Sequence, residues 1–164
     1  MRLKILISFL VVFALATVAS AQTKVSGTLQ CAKPDQQQAI EVGDRPNHSF
    51  VISQMKCTYP KPVEIAGVQS KEGVYTLFSE VSGNRSHGEV YGVVNMSNGD
   101  KYYVRAQGSA TLKDGVLESE EGKSSIVGGT GKLKGLKGKA TYKGKGAPDG
   151  TSTVEIEGEY ELPK

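Results

Sequence analysis

Two segments near the end of the chain constrain the fold most strongly. In residues 152–162, apolar or small side chains alternate with four glutamates, and in residues 137–145 they alternate with lysines. Alternation with a period of two is typical of a β-strand with one buried face. We therefore predict an antiparallel hairpin whose solvent face carries a ladder of lysine–glutamate pairs.

The rest of the chain after residue 21 alternates in the same way between glycine-rich turns, and no stretch has a sustained helical period. Turns are predicted at Asn98-Gly99, Asp114-Gly115 and Pro148-Asp149-Gly150. The polar segment 33–47 is predicted to be a loop. The predicted strands are 24–31, 48–58, 63–70, 73–82, 88–97, 101–113, 116–121, 137–145 and 152–162.

The turn at Asn98-Gly99 allows two registers for its flanking strands. A two-residue loop places Arg105 on the face of Val90 and Val94, whereas a three-residue loop places Tyr102 and Val104 there. A one-residue slip exchanges the two faces of a strand, so only the second register keeps the apolar residues together. We predict the three-residue loop, with Gly99 in the left-handed conformation.

That register leaves Tyr91, Val93 and Tyr103 on the outer face of the same hairpin. Apolar side chains on an outer face indicate a subunit interface, and we expect a homo-oligomer on this basis. Scattered surface aromatics are also ordinary, so this alternative stays open.

The strand predicted at 73–82 is ambiguous, because both of its faces carry apolar residues. If the face with Phe78 and Glu80 points inward, Glu80 is a buried carboxylate with a raised pKa and a candidate for function. The alternative is an ordinary exposed glutamate.

Residues 1–21 have the form of a cleavable export signal. Arg2 and Lys4 precede the apolar run from Ile5 to Val18, and a small-residue cleavage site ends at Ala21. The run is shorter than the ~20 residues of a spanning helix, which argues against a retained anchor. We expect a secreted or periplasmic protein, with residues 22–164 forming one domain and no membrane contact after cleavage.

Cys31 and Cys57 are the only cysteines of the chain. An exported protein meets an oxidising compartment, so we predict a disulfide between them. The alternative, a pair of reactive or metal-binding thiols, lacks the four closely spaced ligands of a typical metal site.

No motif indicates an enzyme, a cofactor or a metal site. The glycine-rich segments miss the spacing of phosphate-binding loops, and His48 and His87 have no ligand or catalytic spacing around them, so both are expected to be ordinary surface or edge residues. Seven lysines between residues 123 and 145 suggest a polyanion site, but the neighbouring glutamates neutralise most of that charge. We therefore expect no nucleic-acid partner.

Residues 126–138 read Ile-Val-Gly-Gly-Thr-Gly-Lys-Leu-Lys-Gly-Leu-Lys-Gly. This run resembles the Gly-Gly-Thr-Gly-(basic)-(apolar)-x-Gly signature of the dirigent and allene oxide cyclase-like β-barrels, which secreted bacterial proteins also share. The resemblance covers roughly residues 123–162. The motif residues are Gly128, Gly129, Thr130, Gly131, Gly135 and Gly138.

The resemblance implies an all-β fold: a small closed antiparallel barrel of about eight strands, which leaves no sheet edge exposed. Members of the family use the barrel cavity for apolar substrates, since cyclases fold a fatty-acid epoxide and dirigent proteins orient phenolic radicals. The catalytic carboxylate and amide of the cyclases match no positions here. The candidate cavity residues are Phe78, Glu80, Tyr102, Val104, Tyr142 and Tyr160.

Three functions follow from this interpretation. We expect a non-enzymatic protein that binds a small apolar molecule in the barrel. The second possibility is a cyclase- or isomerase-type enzyme that uses the same cavity by positioning its substrate. The third is an envelope or extracellular interaction protein with a solid barrel.

Overall fold

The computed structural model describes residues 22–163, so the predicted export signal lies outside the described residues. No helix in this part of the chain is long and apolar enough to cross a membrane. The strands are β1 (Thr23–Cys31), β2 (Gln36–Glu41), β3 (His48–Lys61), β4 (Glu64–Ile65), β5 (Val68–Ser82), β6 (Arg85–Met96), β7 (Lys101–Lys113), β8 (Val116–Gly129), β9 (Lys137–Gly146) and β10 (Ser152–Glu161).

Eight of these strands close into an antiparallel barrel, in the order β1-β10-β9-β8-β7-β6-β5-β3, and β3 returns to β1. The short β2 lies beside β3, and β4 pairs with the start of β5. The all-β closed barrel expected from the sequence is therefore confirmed.

The barrel closes at the seam between β1 and β3, where the paired segment is short. The register pairs Thr28 with Lys61 and Cys31 with Cys57, and it shifts between them. The predicted disulfide joins Cys31 to Cys57 at the end of this seam. The pairing of the two cysteines is confirmed, and it ties the first barrel strand to the strand that closes the cylinder.

Both hairpins that could be analysed in the sequence have the predicted register. Val94 pairs with Tyr102, and Gly99 has a φ of 88° in the turn. In the last hairpin Lys143 pairs with Glu155 on the exposed face. The ladder has the predicted register, but within residues 22–163 no nitrogen–oxygen distance between its strands falls within 4.0 Å. Its charges are solvated neighbours rather than ion pairs, and they contribute little to stability.

Three predicted elements differ from the structure. The polar segment 33–47 contains strand β2, whose six residues are all exposed. The segment 63–70 is not one strand, because a tight turn divides it between β4 and β5. The strand predicted at 116–121 continues to Gly129, so the first two motif glycines belong to β8.

The glycine-rich motif makes the connection from β8 to β9. A 3₁₀ turn spans Gly131–Leu133, and the backbone N–H of Lys132 donates to the Asp100 carboxylate at 3.1 Å. Gly131 has a φ of 52°, and a Cβ there would overlap the Asp100 side chain. Glycine is therefore required both for the backbone conformation and for the approach of Asp100. The turn carries Leu133 into the interior of the barrel, where it is fully buried.

The interior of the barrel has two different halves. At one end, which we call the base, buried apolar side chains fill the space: Tyr59, Val63, Ile65, Val94, Met96, Tyr102, Leu133 and Leu136. At the opposite end, which we call the mouth, the inner faces of β6 to β9 carry small residues that are mostly only half-buried. The barrel is thus solid at the base and less tightly filled along β6 to β9 toward the mouth.

Candidate functional site

Three tyrosines of the base form a polar contact inside the apolar core. The hydroxyl groups of Tyr59 and Tyr75 are hydrogen-bonded to each other, and Tyr102 lies beside them. Burial raises the pKa of Tyr102 to about 12 and raises those of Tyr59 and Tyr75 further. These hydroxyl groups stay neutral over the physiological pH range, and they satisfy one another's hydrogen bonds. They are structural groups of the core.

Above the base, a row of three glycines crosses the inner wall. Gly88, Gly108 and Gly122 pair directly with one another on β6, β7 and β8. The ring of Tyr142 on β9 lies across two of them, because a Cβ at either Gly108 or Gly122 would overlap the Tyr142 hydroxyl. The glycines therefore make room for one aromatic side chain and leave backbone exposed to the interior.

Glu120 lies one pair further toward the mouth. On β8 it pairs with Ala110 on one side and Gly144 on the other, both of which face inward. A Cβ at Gly144 would meet the Glu120 side chain at 2.6 Å, which shows that this side chain lies across Gly144 on the inner face. The glutamate is thus directed into the barrel.

Burial raises the pKa of the Glu120 carboxyl group, and the same cause, together with the Glu120 charge, raises the pKa of Tyr142 to about 12. The hydrogen bonds and ion pairs found within residues 22–163 do not include Glu120. A desolvated carboxyl group without a partner is available to a ligand, and such groups are common at functional sites.

Glu120 is also the only charged residue on the inner face of the eight barrel strands in the described chain. The register places the other paired charged residues of these strands on the outer face. Lys71 and Glu118 lie at bulges without a register partner, and both are exposed. Sequence analysis missed this residue. The signal was the alternation of Gly122, Ser124 and Ile126 on the inner face, which continues back to Glu120.

A cleft of about 850 Å³ lies where Glu120 is found. Four of its sixteen lining residues face inward: Ser86, Ala110, Glu120 and Gly144. The other twelve belong to the outer face at the end of the strands, and they include charged residues of both signs. The space is large enough for a small organic molecule. The cleft contains the Glu120 carboxyl group beside small side chains, whereas Tyr142 lies one pair closer to the base and is not among the lining residues.

The structure divides the candidate cavity residues of the sequence analysis into two groups. Tyr102, Val104, Tyr142 and Tyr160 are on the inner face, as their registers show. Tyr102 belongs to the base, and the Tyr160 hydroxyl accepts a hydrogen bond from the Ala66 N–H at 3.0 Å. Of the four, Tyr142 is the one beside Glu120. Whether any of them binds a ligand stays a prediction.

Phe78 and Glu80 lie on the outer face of β5, because Tyr75, Leu77 and Ser79 take the inward positions. Phe78 is 55% exposed and stacks on Phe50 of β3, with ring centroids 5.7 Å apart. The inward placement considered for these two residues is therefore wrong, and the alternative of an exposed Glu80 is correct.

Glu80 instead takes part in a charged cluster with His48. The His48 Nδ1 lies 2.5 Å from an Asp44 oxygen, and the Nε2 lies 2.8 Å from a Glu80 oxygen. Only the protonated imidazole ring can donate to both carboxylates. The hydrogen bond with Asp44 is the main cause that raises the pKa of His48, and it lowers the pKa of Asp44. His48, expected to be an ordinary surface or edge residue, is buried in this cluster, whereas His87 is exposed.

The cluster predicts a pH-dependent stability. The pKa of His48 in the folded protein is raised above its ordinary value near 6.5. Protonated His48 therefore contributes its full stabilisation of the folded state below pH 6.5. This stabilisation is lost as the pH rises through the raised pKa of His48, and it is also lost in acid as Asp44 is protonated.

In urea unfolding from pH 5 to 9, His48→Asn should be less stable than wild type at pH 5, and the difference in unfolding free energy should shrink toward pH 9. His87→Asn is the matched control, and a pH-independent loss in His48→Asn would contradict the prediction.

The outer residues Tyr91 and Tyr103 stack with centroids 6.5 Å apart, and Tyr91 is 43% exposed. Their outer placement is as predicted, and the homo-oligomer stays a prediction.

Comparison with known proteins identifies solved structures with a similar fold. No protein-family profile matches the chain, and no curated protein matches its sequence. A structure titled pyocyanin demethylase is similar over 82% of this chain and 99% of its own, with 18% identity and a TM-score of 0.44. A pterocarpan synthase dirigent protein is similar over 88% of this chain and 92% of its own, with 17% identity and a TM-score of 0.46.

Proposed function

We propose that the protein binds a small, mostly apolar molecule at the mouth of its barrel, with Glu120 and Tyr142 as the polar contacts. The observation that carries the proposal is the unpaired, desolvated carboxyl group of Glu120 in a wall of small residues. Binding sites for small molecules are typically apolar, with a few polar groups that fix the orientation of the ligand.

The alternatives receive less support. A solid barrel would fill its interior with large side chains, whereas the inner faces of β6 to β9 toward the mouth carry alanine, serine and glycine at most positions. We further propose that the protein acts outside the cytoplasm, since the disulfide suits an oxidising compartment.

The first test is native mass spectrometry of the protein purified from its own host, which should detect a retained molecule. Ala110→Leu places a large side chain opposite Glu120 and should weaken retention about tenfold or more, because it occupies the cleft. Ser26→Leu is the matched control, since Ser26 is exposed on the outer face of β1 and does not line the cleft. Equal retention by wild type and Ala110→Leu would contradict the proposed site.

A second candidate function is a cyclase- or isomerase-type enzyme, and it is favoured by the same carboxyl group. Burial raises the pKa of the Glu120 carboxyl group, and a carboxyl group beside a tyrosine can serve as a general acid or base. Glu120→Gln keeps the shape of the side chain and removes the proton transfer. If the protein is an enzyme, the variant should retain a molecule with a different chromatographic retention from that of wild type, whereas a binding protein should retain the same one.

A further inference from the structure

We propose that the molecule bound at the mouth is a nitrogen base, positively charged when bound, and not a carboxylic acid or another anion. This inference rests on the proposed function, because it specifies the chemical class of the ligand at the same site. Its basis is the sign of the charge inside the barrel.

Within the part of the chain that the structure describes, Glu120 is the one charged residue whose register places it on the inner face of the eight strands. The bases of the cleft, Arg85, Lys143 and Lys145, lie on the outer face. An anion entering this space would lose its hydration and meet a like charge, and both effects oppose binding. A protonated nitrogen would instead donate a hydrogen bond to the carboxylate, which has no partner among the described residues. Charge-assisted hydrogen bonds of this type are shorter and stronger than neutral ones.

Tyr142, the neighbour of Glu120 on the inner face, adds a second reason for a cationic ligand. Its pKa of about 12 keeps the hydroxyl group neutral, so the residue presents an aromatic ring and a hydrogen-bonding group without adding charge. The face of an aromatic ring attracts a nearby cation.

The outer rim of the cleft does not determine the sign of the ligand. It carries Glu80, Glu121 and Glu155 together with Arg85, Lys143 and Lys145, so acids and bases are equal in number. Long-range attraction therefore favours neither sign strongly, and discrimination depends on Glu120.

Two dyes with the same three-ring body test the inference. 9-Aminoacridine is a cation at pH 7.5, and 9-anthracenecarboxylate is an anion. In fluorescence titrations we expect the wild-type protein to bind the cation at least tenfold more tightly. Glu120→Gln should weaken binding of the cation about tenfold and leave that of the anion unchanged or stronger.

Glu72→Gln is the matched control, because it removes the same charge from an exposed residue on the outer face of β5 that does not line the cleft. It should leave both affinities within twofold. The wild-type protein gives an independent readout: binding of the cation should weaken as the pH falls through the raised pKa of Glu120, whereas Glu120→Gln should lack this dependence.

The result that overturns the inference is equal or tighter binding of the anion, or an equal loss of cation affinity in the two glutamine variants. Failure of both dyes to bind also overturns it. The proposed function has a separate test, since a molecule retained from the host and displaced by Ala110→Leu would support binding whatever its charge. A retained carboxylic acid would uphold the function and refute the inference.

Discussion

Replacing Cys31 and Cys57 together by alanine should lower the free energy of unfolding by about 3 kcal/mol, the chain-entropy value for a loop of this size. For a domain of this length the loss corresponds to a fall in Tm of roughly 10 °C. The disulfide joins β1 to β3 at the seam that closes the barrel, so it constrains the unfolded chain and also holds the shortest pairing between barrel strands. Urea unfolding of the variant and of wild type measures the effect.

Hydrogen exchange separates these two contributions. If the disulfide holds the seam, exchange of the amides of β1 and of residues 57–61 should increase more than that of the long hairpin between β7 and β8, which has twelve paired positions. Wild-type protein treated with dithiothreitol should behave like the double variant. Unchanged stability in the double variant would show that backbone pairing alone closes the barrel.

The barrel could be predicted from the sequence where one face of a strand is clearly apolar. The hairpin at Gly99 is the clearest case, because only one of its two registers groups Val90 and Val94 with Tyr102 and Val104. The last hairpin has the same property, since its charges lie on one face only. In such strands the burial of one face determines the register.

Strand β5 could not be oriented in this way, because its two faces are similarly apolar. Phe78 lies outside although it is as large and apolar as an interior residue, and its ring stacks on Phe50 of the neighbouring strand. Strand β2 was missed for a related reason: all six of its residues are exposed, so its sequence has no buried face to reveal it.

Glu120 was missed because the sequence around it is polar on both faces. Residues 118–121 read Glu-Ser-Glu-Glu, and nothing within that segment distinguishes the inward glutamate from its neighbours. The orientation becomes clear only from Gly122 onward, where small and apolar residues take the inner positions. A functional residue that breaks the polar–apolar pattern is hidden from pattern analysis for this reason.

The second large effect is expected from Leu133→Ala, which should lower the free energy of unfolding by about 3 kcal/mol. Leu133 is fully buried in the base, although it belongs to the turn between β8 and β9 and not to a strand. Its removal would leave a cavity that the surrounding strands cannot close, because their positions are fixed by pairing on both sides. Val127→Ala is the matched control from β8: Val127 is 50% exposed, and its loss should change stability by no more than about 0.5 kcal/mol.

Connecting segments supply much of the base: Leu133 and Leu136 come from one connection, and Val63 precedes the short strand β4 that carries Ile65. If these segments close the barrel as a packed plug, Ile65→Ala should lower the free energy of unfolding by a similar amount. The effects of Ile65→Ala and Leu133→Ala should then not be additive in the double variant, since the two side chains belong to one buried cluster. A loss in Leu133→Ala no larger than that in Val127→Ala would mean that the base is loosely filled. The mouth would then no longer differ from the base, and the restriction of the binding site to one end of the barrel would lose its physical reason.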